Sequence, residues 1–195
     1  MQFFTIAFFT LVAVVFTIIK LCNYYIKNTK IKILTANSII LAASYVFIIY
    51  ADIRFAIAIA LLTIITWFCA KTEKLIPLGI IISAVSLGFF KYTNFFIESF
   101  AKILGNSYTT LNLLVPLGVS FYTFSAISYM VDVKRKKVNP ENLFKVALYL
   151  SFFPKITSGP IQRSGDFFRQ ADSDREIGAK SFQVGIQIFV FGLFK

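Results

Sequence analysis

Apolar residues run almost unbroken over positions 3–19, and Lys20, Lys27, Lys30 and Lys32 follow them. Similar runs occupy 33–50, 55–70 and 75–90, with Asp52 and Arg54 marking a very short turn between the second and the third. At about 1.5 Å of rise per residue these runs approach the roughly 30 Å hydrocarbon thickness of a bilayer, so they predict four spanning helices. Tyr50 and Trp67 lie near predicted span ends, where amphipathic rings are favoured. No positive charge precedes the first run and no small-residue cleavage site follows it, which predicts a retained helix rather than a signal peptide.

The pattern then changes. Tyr92, Phe96, Phe100 and Ile103 share one helical face, while Asn94, Glu98 and Lys102 recur every four residues on another. This predicts a separate short helix over 92–104 in the outer interface, supported by a Glu98–Lys102 pair; a solvated loop helix is the plainer alternative. Lys91 is expected to snorkel to the headgroups. A fifth span is predicted over 111–131, kinked by Pro116. Its Gly118, Tyr122, Ser125, Tyr129 and Asp132 are spaced four, three, four and three, so they form one polar or small stripe on an apolar helix. Lipid cannot satisfy that stripe, so it predicts either the lining of a hydrated cavity or interhelical packing.

Asn139, Pro140 and Glu141 carry the signature of a helix start, and the run to Phe153 is too short to cross. "FFPKITSGPIQR", residues 152–163, then breaks an apolar stretch with Pro154, Lys155, Gly159, Pro160 and Arg163. Irregular backbone is tolerated at membrane depth only where protein or a water-filled cavity surrounds it, so 140–170 is expected to be re-entrant and packed inside the protein. A surface turn with snorkelling Lys155 and Arg163 is the competing account. Asp166 and Arg169 can pair on a short helix. Beyond the acidic connector 172–176, residues 181–195 begin a further span with Gln183 and Gln187 on one face, and that span looks cut off.

Composition supports lipid as the solvent. Of the 195 residues 57% are apolar and 15% charged, at a formal net charge of +11. The cations sit in short connectors and form no stripe on a polar domain, which argues against nucleic acid as a partner. Lys20, Lys27, Lys30, Lys32, Lys71, Lys74 and Lys134 to Lys137 fall in the first, third and fifth connectors, against Arg54, Lys91 and Lys102 in the others. That asymmetry places the N-terminus outside. Cys22 and Cys69, with no histidine in the chain, offer neither a zinc ligand set nor a C-x-x-C pair, so no metal, cofactor or disulfide is expected. The fold class predicted is an all-α polytopic membrane bundle with a half-span segment.

"LLVPLGVSFYTFSAISYMVDVKRKKV" followed by "ALYLSFFPKITSGPIQRSGDFF" resembles the membrane-bound O-acyltransferase family, in the branch of alginate O-acetyltransferases and D-alanyl teichoic acid transferases. Echoes occur at "LAASYVFIIYADIRF", "LGFFKYTNFF" and "FGLFK". The resemblance implies a bundle around a tunnel that passes an acyl group from an inner donor or acyl carrier to a hydroxyl of an outer polysaccharide or teichoic acid. It also implies a catalytic histidine, which this chain lacks. The expectation is therefore the N-terminal part of such an enzyme, without its catalytic half and inactive alone, with no residue here catalytic. Ser120 or Cys69 as nucleophile would need an activating base that the sequence does not supply. Tyr122, Ser125, Tyr129 and Asp132 are the candidates for lining the tunnel or packing beside it, and Pro154, Lys155, Gly159, Pro160 and Arg163 for shaping the inner re-entrant region. A non-enzymatic membrane scaffold or helper subunit in envelope assembly is the alternative.

Overall fold

A computed structural model describes residues 6–104, 115–156, 159, 162–174 and 179–193. Among these residues all regular structure is helical. Helices α1 (Ile6–Tyr25), α2 (Thr29–Ala51), α3 (Ile53–Lys71) and α4 (Ile76–Leu104) run up and down, joined by tight connections. Each is long and apolar enough to cross a membrane. Asn28 starts α2 by accepting hydrogen bonds from the amides of Lys30 and Ile31. Asp52 closes α2 with its own amide and starts α3 with its carboxylate, which accepts from the Arg54 amide at 2.7 Å. One residue thus reverses the chain, because its side chain satisfies a helix-start donor that water would otherwise have to meet.

Helix α5 (Val119–Lys134) returns along α3 and α4, and α6 (Leu143–Ser151) wedges between α2, α3 and α5. Then come the single turn α7 (Phe153–Ile156), the short α8 (Ser164–Ala171) and α9 (Ala179–Leu193). Val146, Leu148, Tyr149, Leu150 and Ser151 of α6 are all buried, so the C-terminal half of this nine-residue helix is enclosed by protein, while Leu143 at its start is exposed. Outward-facing Val46, Ile57, Leu61, Phe68 and Val85 instead leave an apolar exterior, as a lipid-solvated bundle requires.

Ion pairs gather one end of the bundle. Lys32 of α2 meets Asp174 at 3.1 Å, and Lys145 of α6 meets Asp172 at 2.7 Å and Glu141 at 3.2 Å. The connectors at 26–28, 72–75 and 135–142 therefore share that end, together with exposed Lys134, Arg135, Lys136 and Lys137.

Five local expectations change. The predicted separate helix over 92–104 is continuous with the fourth span in α4, because nothing between Gly88 and Lys102 interrupts the backbone ladder and the Glu98–Lys102 pair at 2.8 Å reinforces it. The fifth span was expected from 111; α5 begins at Val119, and 111–114 lie outside the described residues. Pro116 does not kink a helix but precedes one, its carbonyl accepting from the Val119 amide at 3.1 Å. Gly118 is not part of the helical stripe either: it caps α5 in a left-handed conformation with φ of 68°. The helix expected to start at Asn139 starts from Asn142, whose side chain accepts from the Lys145 amide at 2.9 Å. The Glu141 amide is diverted to the Tyr129 hydroxyl instead, so that stretch cannot wind into the first turn.

Candidate functional site

The polar stripe of α5 divides in two. At its lower half Tyr129 and Asp132 hold the fold together. The Tyr129 hydroxyl accepts from the Glu141 amide at 2.8 Å, and the Asp132 carboxylate accepts from the Ser164 hydroxyl at 2.9 Å. The first bond anchors the approach to α6 and the second the first turn of α8. Tyr149 completes the set by donating to the Gln162 carbonyl at 2.7 Å. Burial holds its phenol up at about 12, so it stays a donor at neutral pH. Around these bonds the rings of Tyr129, Tyr149, Phe167 and Phe168 pack largely edge to face, with Tyr149 at 5.2 Å from Phe167 and Tyr129 at 5.7 Å from Phe168.

At the upper half Tyr122 and Ser125 are buried and face the turn of α7. With Phe121, Leu150, Lys155, Ile156 and Gly159 they line a cavity of about 10 Å³, the space of one water. The turn of α7 is pressed against the start of α5 here: a Cβ on Gly118 would lie 1.9 Å from the Ile156 carbonyl oxygen. Only glycine allows both that approach and the left-handed backbone.

Lys155 is the unusual member. Its amine is buried, has no hydrogen-bond partner among the described residues, and lies 3.7 Å from the centre of the Tyr149 ring and 4.8 Å from that of Phe167. Ring faces replace water around the charge, which is a weaker solvent for an ammonium group. Burial accordingly pushes the amine down to about 7.

Of the sequence candidates, Tyr122, Ser125, Lys155 and Gly159 converge on one cavity, while Tyr129 and Asp132 are hydrogen-bonded beside it. Pro154 is exposed in the first turn of α7, where its missing N–H is harmless. Arg163 is exposed and precedes α8 without a side-chain cap, and Pro160 lies outside the described residues. The Asp166–Arg169 pair forms at 3.0 Å.

Sequence reasoning missed the residues of α2 that receive this hairpin. The Asn37 side chain donates to the Ala171 carbonyl at 2.9 Å, and the Ser44 hydroxyl accepts from the Phe153 amide at 3.2 Å. Both satisfy backbone groups that helix ends leave open. Their spacing of seven on an otherwise apolar span was the available signal, two turns along a single face.

The spans, their apolar exterior and the buried hairpin define a multi-pass α-helical membrane protein. The chain is 28% identical over 188 residues to a probable alginate O-acetylase of Pseudomonas aeruginosa, an alignment covering 88% of this chain and 35% of that protein. It is 31% identical over 145 residues to a peptidoglycan O-acetyltransferase of Helicobacter pylori, 60% of this chain and 28% of the other. A shorter match, 34% identical over 56 residues, reaches a teichoic acid D-alanyltransferase of Lacticaseibacillus rhamnosus, with 29% and 14% covered. All three are membrane-bound O-acyltransferases, and this chain is similar to members of that family along most of its length. It spans about a third of the length of the alginate O-acetylases it matches. No family model matches the chain, and no solved structure matches it significantly.

Proposed function

We propose that the chain forms part of a membrane O-acyltransferase that esterifies hydroxyls of a cell-envelope polymer with a small acyl group, acetyl or D-alanyl. The observation that carries this reading is the alignment with alginate O-acetylases along 88% of the chain. Its basic end faces the cytoplasm, by the bias of lysine and arginine toward inner connectors, and the first helix then begins outside. The hairpin of α6, α7 and α8 is re-entrant from that inner face. Its contact with Ser44 lies fifteen residues beyond Thr29, about 22 Å along α2 at helical rise, which supports the placement.

In this reading the hairpin and the upper half of α5 shape the inner approach of the acyl group. Tyr122, Ser125, Lys155 and Gly159 stand where a donor or acyl carrier on the cytoplasmic side would present it, and the acceptor hydroxyl waits on the far face. Acyl transfer requires a base to take the hydroxyl proton as oxygen attacks the acyl carbon, while that carbon's bond to the donor's carrier group breaks and the departing group takes up the proton; an imidazole suits that task near neutral pH. The chain has no histidine. Residues outside this sequence supply the base in our reading, and the 195 residues alone are inactive. Alkaline release and mass spectrometry of envelope-bound esters test this in cells expressing either the full gene product or the 195 residues. Esters from the full product alone are expected. Esters formed by the 195 residues without another subunit overturn the assignment of the base, and none from either overturns the enzymatic reading in favour of a scaffold.

A further inference from the structure

A second and larger cavity, about 280 Å³, lies between α2 and α8, away from Tyr122 and Ser125. Ile40, Phe152, Phe167 and Ala171 form its apolar walls, and Gln162 and Gln170 are its polar lining residues. Its volume sits just below the range of about 300–1,000 Å³ usual for sites that hold small organic molecules. Ile40 lies eleven residues beyond Thr29, about 17 Å along a spanning helix, so this wall stands at hydrocarbon depth.

Helix α8 crosses the end of the bundle. Asp132 holds its first residue and Asn37 its last. Phe167, Phe168 and Ala171 face inward while Asp166, Arg169 and Gln170 face out, the arrangement of a helix lying in a membrane interface. Gln162 has the exposed Arg163 beside it in sequence, while Arg169, next to Gln170, is paired with Asp166 at 3.0 Å. An apolar slot at bilayer depth beneath the Arg163 cation complements a molecule with a hydrocarbon tail and an anionic head.

We propose that the cavity between α2 and α8 is a phospholipid site, seating one acyl chain against Ile40, Phe152 and Phe167 with an anionic headgroup at Arg163. The bilayer supplies this occupant, and the site is independent of the acyl-transfer reading. The bound lipid fills a void that water would solvate poorly, and it couples α8 to the spanning helices.

The test places the protein in nanodiscs of phosphatidylglycerol and phosphatidylcholine, with a trace of either lipid carrying a mid-chain diazirine. After irradiation, peptide mass spectrometry locates the adducts. Adducts are expected at Phe152, Phe167 and Gln170 several-fold above those on the exposed α3 residues Ile57 and Leu61. Phosphatidylglycerol should win by about threefold, the effect of one screened surface cation. Gln170→Trp, which crowds the rim from an exposed position, should remove the excess labelling with helical content unchanged, and Ile40→Phe should do so from the wall. Labelling no denser than on α3, or unaltered by both substitutions, overturns the site. Equal labelling by the two lipids, unchanged in Arg163→Gln, overturns the headgroup assignment.

Discussion

Gly118→Ala isolates the joint between α5 and the re-entrant turn. The added methyl meets two obstacles. The backbone at Gly118 has φ of 68°, a region where a Cβ costs about 1–2 kcal/mol. The methyl would also stand 1.9 Å from the Ile156 carbonyl oxygen, whereas side-chain carbons do not approach other atoms closer than 3.0 Å. Backbone must therefore retreat by about 1.1 Å, the difference of those two distances, and it takes Ile156 with it. Ile156 is only 2% exposed, and losing part of its burial adds about 1–2 kcal/mol to the cost. A total near 3 kcal/mol follows from the two effects. Reversible unfolding in mixed micelles, followed by helical circular dichroism, measures it. Gly88→Ala is the internal control, since nothing lies within 4 Å of its added methyl and the residue sits inside α4. It should gain about 0.5–1 kcal/mol from helix propensity alone. A Gly118→Ala protein as stable as the Gly88→Ala control would refute the close approach of α7 to α5.

Three further outcomes test the bonds of the hairpin. Asp132→Ala should cost about 1.5–3 kcal/mol and Asp132→Asn much less, because the amide still accepts from Ser164; a double-mutant cycle with Ser164→Ala that shows no coupling would contradict the bond. Asn37→Ala leaves the buried Ala171 carbonyl without its amide donor and should destabilise by about 1–3 kcal/mol, read in the same unfolding assay. For Lys155 the folded state holds the amine near 7, below its unfolded value, so the unfolded chain binds more protons between about pH 7 and the ordinary lysine range. Stability should rise with pH across that window, and Lys155→Met should flatten the rise; identical slopes in both proteins would show that the amine is not buried.

Much of the helical framework is legible in the residue pattern, because a bilayer demands long apolar runs and the chain supplies them. Spans one to three match the helices to within a turn or so at most ends, and the very short turn read at Asp52 and Arg54 is a reversal at Asp52, with Arg54 already inside α3. Boundaries fail where a second residue competes for the same role. Asn139 and Asn142 are both good helix starts, and the choice falls to Asn142 because Tyr129, twelve residues before Glu141, captures the Glu141 amide. Pro116 and Gly118 are likewise compatible with a kinked helix until the approach of Ile156, 38 residues beyond Gly118, selects the turn. Local propensity cannot see partners so far along the chain.

The candidate site shows the same limit from the other direction. A stripe of Tyr122, Ser125, Tyr129 and Asp132 is visible as a period, yet one period holds two different functions. Tyr129 and Asp132 meet backbone and side-chain donors and so complete the fold. Tyr122 and Ser125 meet a cavity and Lys155. What separates them is where the return segment touches the helix, and that depends on Asn37 and Ser44 of α2, more than a hundred residues before Phe153 and Ala171. Those two side chains satisfy the open backbone groups of α7 and α8, which is what permits irregular, charged backbone to lie among so many phenylalanines. The polar residues of the second span thus hold the hairpin in place, and its position in turn decides which end of the α5 stripe borders the cavity.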